Sequence, residues 1–340
     1  MKESHSVWLN AWYGKSKWVY LLLPLNWLFC CVSWLRKCYL IQFAQESLAV
    51  PVIVVGNISI GGTGKTPLII ALVEYLQQQG HTPGVVSRGY GGKAPHYPYL
   101  LNDLTQAKES GDEPLLVFRA TKCSVCVAPD RVAAAKLLVE QGCSIVLSDD
   151  GLQHYRLGRD IEIAVVDGSR RFGNTYRLPV GPLREPISRL KAVDIVVLNN
   201  SLQSQFPVYD FPLFNMKLHA SAWRQVQGQQ LISLDKLQFE KSVHAVAGIG
   251  NPQRFFNTLD GLSLTYQPHI FADHHKFSAA DFQFANNDPV VMTEKDAVKC
   301  QSFAKPQWYS LIVNAQLDTK FWQLFKQKLH SVQQKLESVQ

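Results

Sequence analysis

A glycine-rich run between two apolar segments is the part of the chain best suited to chemistry. It reads Ser59-Ile60-Gly61-Gly62-Thr63-Gly64-Lys65-Thr66-Pro67. Glycines let backbone N–H groups turn inward around an anion. Lys65 would then meet the outer phosphates of a nucleotide, while Thr66 offers a hydroxyl to Mg²⁺ at the start of a helix. Although Ser59 stands where the usual pattern has its first glycine, the run predicts a phosphate-binding loop rather than an ordinary turn.

The sequence excludes two classes of nucleotide-binding protein, each by the residues in one motif. The membrane-associated ATPases of chromosome partition carry a lysine two residues before Gly-Thr-Gly, and here that position is Ile60. Guanine-specific enzymes carry Asn-Lys-x-Asp or Thr-Lys-x-Asp, and the nearest run, Thr293-Glu294-Lys295-Asp296, has a different order. The loop therefore belongs to neither class.

Acidic residues at two places are candidates for metal binding or proton transfer. In Gly111-Asp112-Glu113-Pro114 the acids either cap a helix or reach the phosphates. A second apolar segment closes on Asp149 and Asp150, as the metal-side strand of a phosphate-loop enzyme does. Because adjacent carboxylates repel, a nearby cation would stabilise both charges. This pattern predicts that Asp149 lies near Mg²⁺.

Polar residues follow these segments at positions suited to a substrate. The apolar run at 84–86 ends in Ser87-Arg88-Gly89-Tyr90, and ligands bind at the carboxyl ends of strands in parallel sheets. Arg88 and Tyr90 are therefore placed to hold a substrate, unless this is an ordinary glycine-rich loop. Gln153 and His154 follow the acids at the same edge.

The elements that must position these residues alternate between strand and helix from residue 51 to residue 200. That alternation predicts an α/β fold with a mostly parallel, P-loop NTPase-like sheet. We expect an N-terminal membrane-associated helical segment (1–48), a domain that binds nucleotide and substrate (49–205), an extended β connector (206–240) and a smaller α/β domain (241–340).

Charge and cysteine usage narrow the partners and the compartment. The 340 residues carry a formal net charge of +7, which favours phosphates or an anionic membrane surface. Nucleic acid is not expected, because no reading motif appears. The seven scattered cysteines indicate a reducing compartment. Cys123-x-x-Cys126 lies in an alternating run that predicts a strand rather than a metal or redox site.

The first 48 residues differ from the rest. Trp18 to Leu35 is a run of eighteen uncharged residues, which is at the lower limit for crossing a bilayer. Pro24 and Asn26 interrupt it, and basic residues on both sides give no orientation for a crossing. Interleaved Trp and Tyr predict a segment that lies in the lipid headgroup layer. A buried helix and a single crossing are the alternatives, whereas a cleaved signal peptide would export the nucleotide loop.

Together the motifs resemble those of the tetraacyldisaccharide 4′-kinase family, the lipid A 4′-kinases. The matching runs are Gly56-Asn57, Gly61-Gly62-Thr63-Gly64-Lys65-Thr66-Pro67, Ser87-Arg88-Gly89-Tyr90-Gly91, Gly111-Asp112-Glu113-Pro114, Asp149-Asp150-Gly151-Leu152-Gln153-His154, 178–186 and Asp273-His274-His275. The resemblance implies ATP- and Mg²⁺-dependent phosphorylation of the 4′-hydroxyl of a tetraacyl disaccharide 1-phosphate lipid. It places the protein on the cytoplasmic face of a bacterial inner membrane, peripheral or monotopic, with nucleotide between two α/β domains and no protein partner implied.

The resemblance also implies residue roles. Phosphates would be held by Lys65 and the loop from Ser59 to Pro67, and Mg²⁺ by Thr66, Glu113 and Asp149. Asp112 and His274, with Lys65, would be catalytic, and the approach of His274 to Asp112 would require the two domains to close. A capping or surface role is the alternative for His274. The sugar and its phosphate would contact Arg88, Tyr90, Arg131 and His154, with Asp150 and Gln153 beside them.

A membrane-associated P-loop ATPase that acts as a regulatory switch is the alternative function. Such a switch hydrolyses ATP to water, whereas a kinase needs a lipid acceptor. Phosphate acceptance by the lipid therefore discriminates between the two.

Overall fold

The computed structural model describes residues 2–14, 16–199, 211–237, 239 and 241–338. Part of the predicted connector, residues 206–210, 238 and 240, lies outside the described residues. So do residues 1 and 15 of the N-terminal segment, residues 200–205 at the end of the predicted nucleotide domain, and residues 339–340.

The N-terminal part of the chain has two helices and then alternating strands and helices. Its elements are α1 (Lys2–Tyr13), α2 (Leu23–Phe43), β1 (Val52–Gly56), α3 (Lys65–Gln78), β2 (Pro83–Ser87), β3 (Tyr99–Leu100), α4 (Ala107–Ser110), α5 (Asp112–Thr121), β4 (Ser124–Val127), α6 (Arg131–Glu140), β5 (Ile145–Asp149), β6 (Ile161–Asp167) and β7 (Ile195–Asn199). Short 3₁₀ helices lie at Trp18–Leu22 and Ile187–Lys191. The alternation predicted after residue 51 is confirmed.

The C-terminal part begins with a long strand and ends with a long helix. Its elements are β8 (Leu213–Gln225), β9 (Leu231–Ser233), β10 (Val243–Ala247), α7 (Pro252–Gly261), β11 (Tyr266–Ile270), β12 (Val290–Thr293), α8 (Glu294–Cys300), β13 (Trp308–Leu317) and α9 (Thr319–Glu337). A 3₁₀ segment spans Ala279–Ala285.

One sheet runs through both parts. Within the described residues thirteen strands pair in the order β11-β10-β12-β13-β8-β7-β6-β1-β5-β2-β4-β3, and β9 adds to β8. All pairs are parallel except β3 with β4, β8 with β9 and β8 with β13. β8 is parallel to β7 and antiparallel to β13, so this strand joins the two parts. The predicted mostly parallel α/β fold is confirmed.

The central strand β1 is buried on both faces. Ile53 and Val55 join a core with α3 and α5, while Val52 and Val54 join the opposite core with α6. Each of these four side chains is at most 1% exposed. Coverage by helices on both faces explains why this strand reads as a continuous apolar run rather than an alternating one. The carboxyl end of β1 therefore delivers the glycine loop to the sheet edge.

The helix α9 returns to the N-terminal part of the fold. Its residues Phe321, Phe325 and Leu329 belong to the same core as Leu72 of α3. Tyr75 of α3 also stacks on Trp322, with ring centroids 4.5 Å apart. The end of the chain thus packs behind the helix that follows the glycine loop.

Four of the seven cysteines, Cys123, Cys126, Cys143 and Cys300, are buried. All seven are free, and Cys126 is buried in β4. Burial raises the pKa of the Cys126 thiol to about 12, so the thiol is protonated and unreactive at neutral pH. The prediction of a plain strand at Cys123-x-x-Cys126 is confirmed.

The apolar N-terminal helix is exposed. By length and composition, the segment Trp18–Phe43 could cross a bilayer. Only 11% of its most apolar window is buried against the rest of the protein. A buried core helix is therefore the wrong interpretation. Pro24 lies in the first turn of α2, where its missing N–H costs no helical hydrogen bond, so the predicted interruption is also wrong. Asn26 donates through Nδ2 to the carbonyls of Arg177 and Leu178.

Candidate active site

A cavity of about 1810 Å³ opens at the carboxyl ends of the central strands, between the two parts of the fold. One wall is the glycine loop, and the facing wall comes from the segments after β10, β11 and β12. The predicted site residues on its surface are Gly61, Gly62, Thr63, Gly64, Lys65, Thr66, Pro67, Arg88, Tyr90, Glu113, Arg131, Asp149, Asp150, Gln153, His154 and His274. The structure therefore brings together nearly all of the candidate residues.

The glycine loop has the backbone that phosphate binding requires. Gly61 and Gly64 have φ values of 99° and 92°, which a side chain disfavours. A Cβ on Gly64 would lie 2.1 Å from Nδ2 of Asn199, and this amide donates to the carbonyl of Thr63 at 2.8 Å. Asn199, at the end of β7, thus fixes the loop immediately before α3 begins.

Ser59 and Ile60 do not line the cavity. The Ile60 N–H donates to the carbonyl of Pro182 at 2.9 Å, and Ser59 forms a β-bridge with Leu183. These two residues fasten the glycine loop to the loop at 178–186. Their contacts therefore support the shape of the nucleotide site from behind.

Lys65 points toward an acid. Its Nζ is 3.4 Å from Oδ1 of Asp150, and Nη1 of Arg184 is 2.8 Å from Oδ2 of the same carboxylate. Burial opposes ionisation of Asp150, but the charges of Lys65 and Arg184 outweigh it and hold the pKa of Asp150 well below its usual range. An ionised Asp150 therefore orients both cations at the floor of the cavity.

Asp149 has the features of a cation ligand. Ser87 donates to its Oδ2 at 3.2 Å, while the buried Oδ1 has no partner among the described residues. Burial, and next the charge of Glu113, raise the pKa of Asp149 to about 7. A divalent cation would satisfy the free oxygen and remove the repulsion between the acids.

The described residues contain no complete protein cage for a metal, since they hold no group of three or more His, Cys, Asp or Glu side chains placed to share one ion. Mg²⁺ usually takes one or two carboxylates and completes its shell with water and substrate phosphates. Thr66, Glu113 and Asp149 all line the cavity, and the free oxygen of Asp149 fits such a site.

Asp112 and His274 contact each other beside the cavity: His274 lines it, whereas Asp112 is not among its lining residues. Nδ1 of His274 is 3.1 Å from each carboxylate oxygen of Asp112. Asp112, the first residue of α5, is 5% exposed. Burial would raise the pKa of Asp112, but the hydrogen bond from His274 and the charges of Lys295 and Lys299 lower it. The two side chains are thus within hydrogen-bonding distance of each other in this structure.

The conformation of His274 is unusual and its other neighbour is a predicted substrate residue. Its φ is 57°, a left-handed value that is uncommon for residues other than glycine. The ring of Tyr90 packs edge-on against the imidazole, with centroids 4.9 Å apart. This geometry argues against the alternative of a simple surface or capping histidine.

Arg131 and His154 both line the cavity. Arg131 is 7% exposed, and its Nη2 donates to the carbonyls of Asp149 and Asp150 at 3.2 Å. Burial and the charge of Arg131 lower the pKa of His154 to about 4. His154 is therefore neutral at physiological pH and presents a hydrogen-bonding ring rather than a charge.

Gln153 is held by protein groups on both sides of its amide. Its Nε2 donates to the carbonyl of Asn57 at 3.0 Å and to Oε1 of Glu185 at 2.7 Å. Its Oε1 accepts from Arg184 at 3.2 Å. Arg88 and Tyr90, by contrast, are exposed and line the cavity.

Sequence reasoning missed several functional candidates. Lys295 contacts Glu113 and Asp273 at 2.9 and 3.1 Å, yet its run, Thr293-Glu294-Lys295-Asp296, was considered only as a guanine motif. Arg184 lay within the motif 178–186 but received no role. A basic residue within a candidate motif, Lys295 in 293–296 and Arg184 in 178–186, was the signal that could have identified them.

Comparison with known proteins gives a consistent family. The model of the family tetraacyldisaccharide-1-P 4′-kinase matches residues 18–330. The tetraacyldisaccharide 4′-kinase of Colwellia psychrerythraea is 48% identical over 320 residues, covering 93% of each chain. That of Nitrosococcus oceani is 46% identical over 324 residues, covering 94% of each chain.

A solved structure has the same fold. LpxK from Aquifex aeolicus in complex with ATP superposes with a TM-score of 0.78 at 27% identity, covering 92% of this chain and 100% of the other. The chain therefore belongs to the tetraacyldisaccharide 4′-kinase family.

Proposed function

We propose that this protein is an ATP-dependent kinase that phosphorylates the 4′-hydroxyl of a tetraacyl disaccharide 1-phosphate lipid. One observation carries the proposal: His274 lines the cavity that also holds the glycine loop, and its Nδ1 is hydrogen-bonded to the buried carboxylate of Asp112. A carboxylate beside a phosphate-binding loop is the arrangement needed to activate a hydroxyl for phosphoryl transfer. Membership of the family supports the lipid acceptor.

We assign the phosphate end of the cavity to ATP and Mg²⁺. The N–H groups of the glycine loop and Lys65 would hold the phosphates, and Thr66, Glu113 and Asp149 would hold the metal. A divalent cation bound there supplies charge neutralisation at the phosphoryl oxygens. The unpartnered oxygen of Asp149 and the raised pKa of this acid support the assignment.

We assign the part of the cavity lined by Arg88, Tyr90, Arg131 and His154 to the sugar and its existing phosphate. Arg88 and Tyr90 are exposed, whereas Arg131 is buried. Asp150 and Gln153 would order this part through Arg184, which contacts both. Asp112 would accept the proton of the hydroxyl while His274 orients its carboxylate.

The predicted division into domains remains part of the proposal. Residues 49–205 would form the nucleotide and substrate domain and 241–340 the smaller domain, with 206–240 as the connector and 1–48 as the membrane segment. Separate hydrophobic cores around β10 and β12 support the second unit. The shared sheet and the packing of α9 on α3 join the two units.

We also propose that α2 holds the protein on the cytoplasmic face of the inner membrane. Its exposed apolar side chains include Leu25, Trp27, Leu28, Val32, Trp34, Leu35, Tyr39, Ile41 and Phe43. Arg36 of the same helix lines the cavity, so the helix would bring the cavity mouth to the lipid surface. ATP is available on the cytoplasmic side, which supports that face.

Charges placed on the exposed face of α2 are expected to release the protein from lipid. Leu28 and Leu35 are 60% and 59% exposed, and a buried leucine side chain contributes about 1.5–3 kcal/mol. The double variant Leu28→Glu/Leu35→Glu should therefore stay folded but lose most flotation with anionic vesicles. Leu104→Glu/Leu231→Glu, at positions 87% and 61% exposed, is the matched control and should float as the wild type does. Equal flotation of both variants would place the membrane contact elsewhere.

Transfer of radiolabelled γ-phosphate to the disaccharide lipid in detergent micelles tests the function. We expect phosphorylated lipid from the wild-type protein, in an amount that depends on both ATP and Mg²⁺. Release of inorganic phosphate at the same rate with and without lipid, and no labelled lipid, would instead support the regulatory ATPase.

A further inference from the structure

The short helix α8 carries a lysine that faces the acidic start of α5. Nζ of Lys295 lies 2.9 Å from Oε1 of Glu113 and 3.1 Å from Oδ1 of Asp273, and it also donates to Nε2 of His274 at 3.4 Å. The side chain is 16% exposed. A single ammonium group therefore touches an acid assigned to the metal and the histidine assigned to the base.

The backbone that carries Lys295 is fixed by its neighbours. Thr293 caps α8 by accepting from the N–H of Asp296 at 3.2 Å. Asp296 is fully buried and accepts from the N–H of Gly248, just after β10, at 2.8 Å. Lys299, one turn after Lys295, pairs with Asp296 at 2.8 Å. Lys295 thus reaches toward α5 from a rigid frame in the C-terminal part of the fold.

Lys295 belongs to a cluster of charged side chains. The ion pairs of this cluster join Lys295 and Lys299 to Asp112, Glu113, Asp273 and Asp296. Four carboxylates lie against two ammonium groups, and His274 pairs with Asp112 and Asp273 as well. Glu113 is 32% exposed and lines the cavity, so this carboxylate can also reach a divalent cation.

We propose that Lys295 is a positioning residue that couples the metal site to the catalytic base. Its ammonium would pair with Glu113 in the metal-free protein. When a divalent cation binds the Glu113 carboxylate, the ammonium would keep its contacts with Asp273 and His274. The proposal rests on the proposed function, which makes Glu113 a metal ligand and Asp112 the base. It adds an order of events: the metal site is occupied first, and Lys295 then contacts His274 of the Asp112–His274 pair without also pairing with Glu113.

Two physical arguments support this exchange. An ammonium and a metal ion on one carboxylate repel each other, but Lys295 has two other acceptors and can leave Glu113 without losing all its partners. An ammonium only donates hydrogen bonds, so Nε2 of His274 must accept and the ring proton resides on Nδ1. Lys295 thereby selects the tautomer of His274 that donates to Asp112.

The experiment compares Lys295→Met and Lys295→Arg with the wild type and with Lys305→Met. Lys305 is exposed and bonds only the carbonyl of Asn286 among the described residues, so its variant controls for loss of a lysine in the same part of the fold. Mn²⁺ affinity of the nucleotide-free protein is measured by electron paramagnetic resonance, and kcat and KM by lipid phosphorylation. Circular dichroism verifies folding.

We expect Lys295→Met to bind Mn²⁺ roughly tenfold more tightly, because a neighbouring positive charge is gone. Its kcat should nevertheless fall about 10²–10³-fold, the range for loss of one preorganised donor, with little change in KM for ATP. Lys295→Arg keeps the charge and should recover both properties in part, and Lys305→Met should match the wild type. If Lys295→Met does not fold, Lys295→Gln, which keeps a donor without the charge, replaces it.

Two results would overturn the proposal. Mn²⁺ binding that is unchanged or weaker in the uncharged variant would mean that Lys295 does not compete with the metal. A kcat near the wild-type value would mean that the lysine does not act on the base. A wild-type protein that fails to phosphorylate the lipid would overturn the proposed function instead, and the Mn²⁺ comparison would still decide whether Lys295 competes for the metal.

Discussion

Replacement of Lys65 by alanine is expected to lower kcat about 10²–10³-fold, as does removal of a single preorganised group that stabilises charge in a transition state. The side chain lines the cavity and its Nζ is 3.4 Å from Asp150. A cation at this place follows the phosphoryl group as its charge shifts toward the leaving oxygen. Lys65→Ala removes that cation from the cavity.

The fold should tolerate this change. The Lys65 side chain is 12% exposed. Asp150 keeps Arg184 at 2.8 Å, so its charge is not left unpaired. We therefore expect a far-ultraviolet circular dichroism spectrum like that of the wild type.

A matched control uses another lysine–aspartate pair outside the cavity. Lys122 lies 3.1 Å from Asp103, and both side chains are exposed. Because exposed ion pairs contribute little, Lys122→Ala should retain wild-type initial rates. Initial rates of Lys65→Ala close to those of the control would contradict the assignment of this loop to phosphate binding.

The phosphate loop could be predicted from sequence because its signals are local. An apolar strand buried on both faces, glycines that require positive φ and a helix start occur within sixteen residues, Val52 to Pro67. Each signal depends on neighbours in the chain rather than on distant contacts. The same reasoning located Asp149 and Asp150 at the carboxyl end of β5, and Asp112 and Glu113 at the start of α5.

The ionic network around those acids could not be predicted in the same way. The helix α8 has seven residues, too few to show apolar periodicity, and it is fixed by the buried contact of Asp296 with Gly248. The pairing of β8 with β13, such as Trp223 opposite Leu311, likewise joins segments far apart in sequence. Tertiary contacts of this kind decide which basic residue faces which acid, and Lys295 was missed for that reason.

Loss of either member of the Asp112–His274 pair is expected to lower kcat about 10²–10⁴-fold, the usual contribution of a positioned general base. The lowered pKa of Asp112 keeps its carboxylate ionised at neutral pH, so it is available to accept the proton of a sugar hydroxyl. Burial lowers the pKa of His274, but the hydrogen bond to Asp112 outweighs this effect and raises it. The histidine therefore stays hydrogen-bonded to the carboxylate and can share the proton.

The two residues should act as one unit. Nδ1 of His274 is equidistant, at 3.1 Å, from both oxygens of Asp112, so removal of the imidazole frees the carboxylate to rotate away from the hydroxyl. Once the carboxylate is gone, the imidazole has nothing to orient. Asp112→Ala/His274→Ala should therefore cost little more than the worse single variant, because residues that act together are not additive.

Steady-state rates of the two single variants and the double variant, with nucleotide affinity by calorimetry, decide between a dyad and two independent residues. His275→Ala is the matched control, since His275 is the next residue and pairs with Asp281 at 3.4 Å rather than with Asp112. Its kcat should stay near that of the wild type. If the two single losses multiply in the double variant, His274 acts independently of the base. If ATP affinity falls with kcat, the two residues hold the nucleotide instead, and the proton of the hydroxyl must leave by another route.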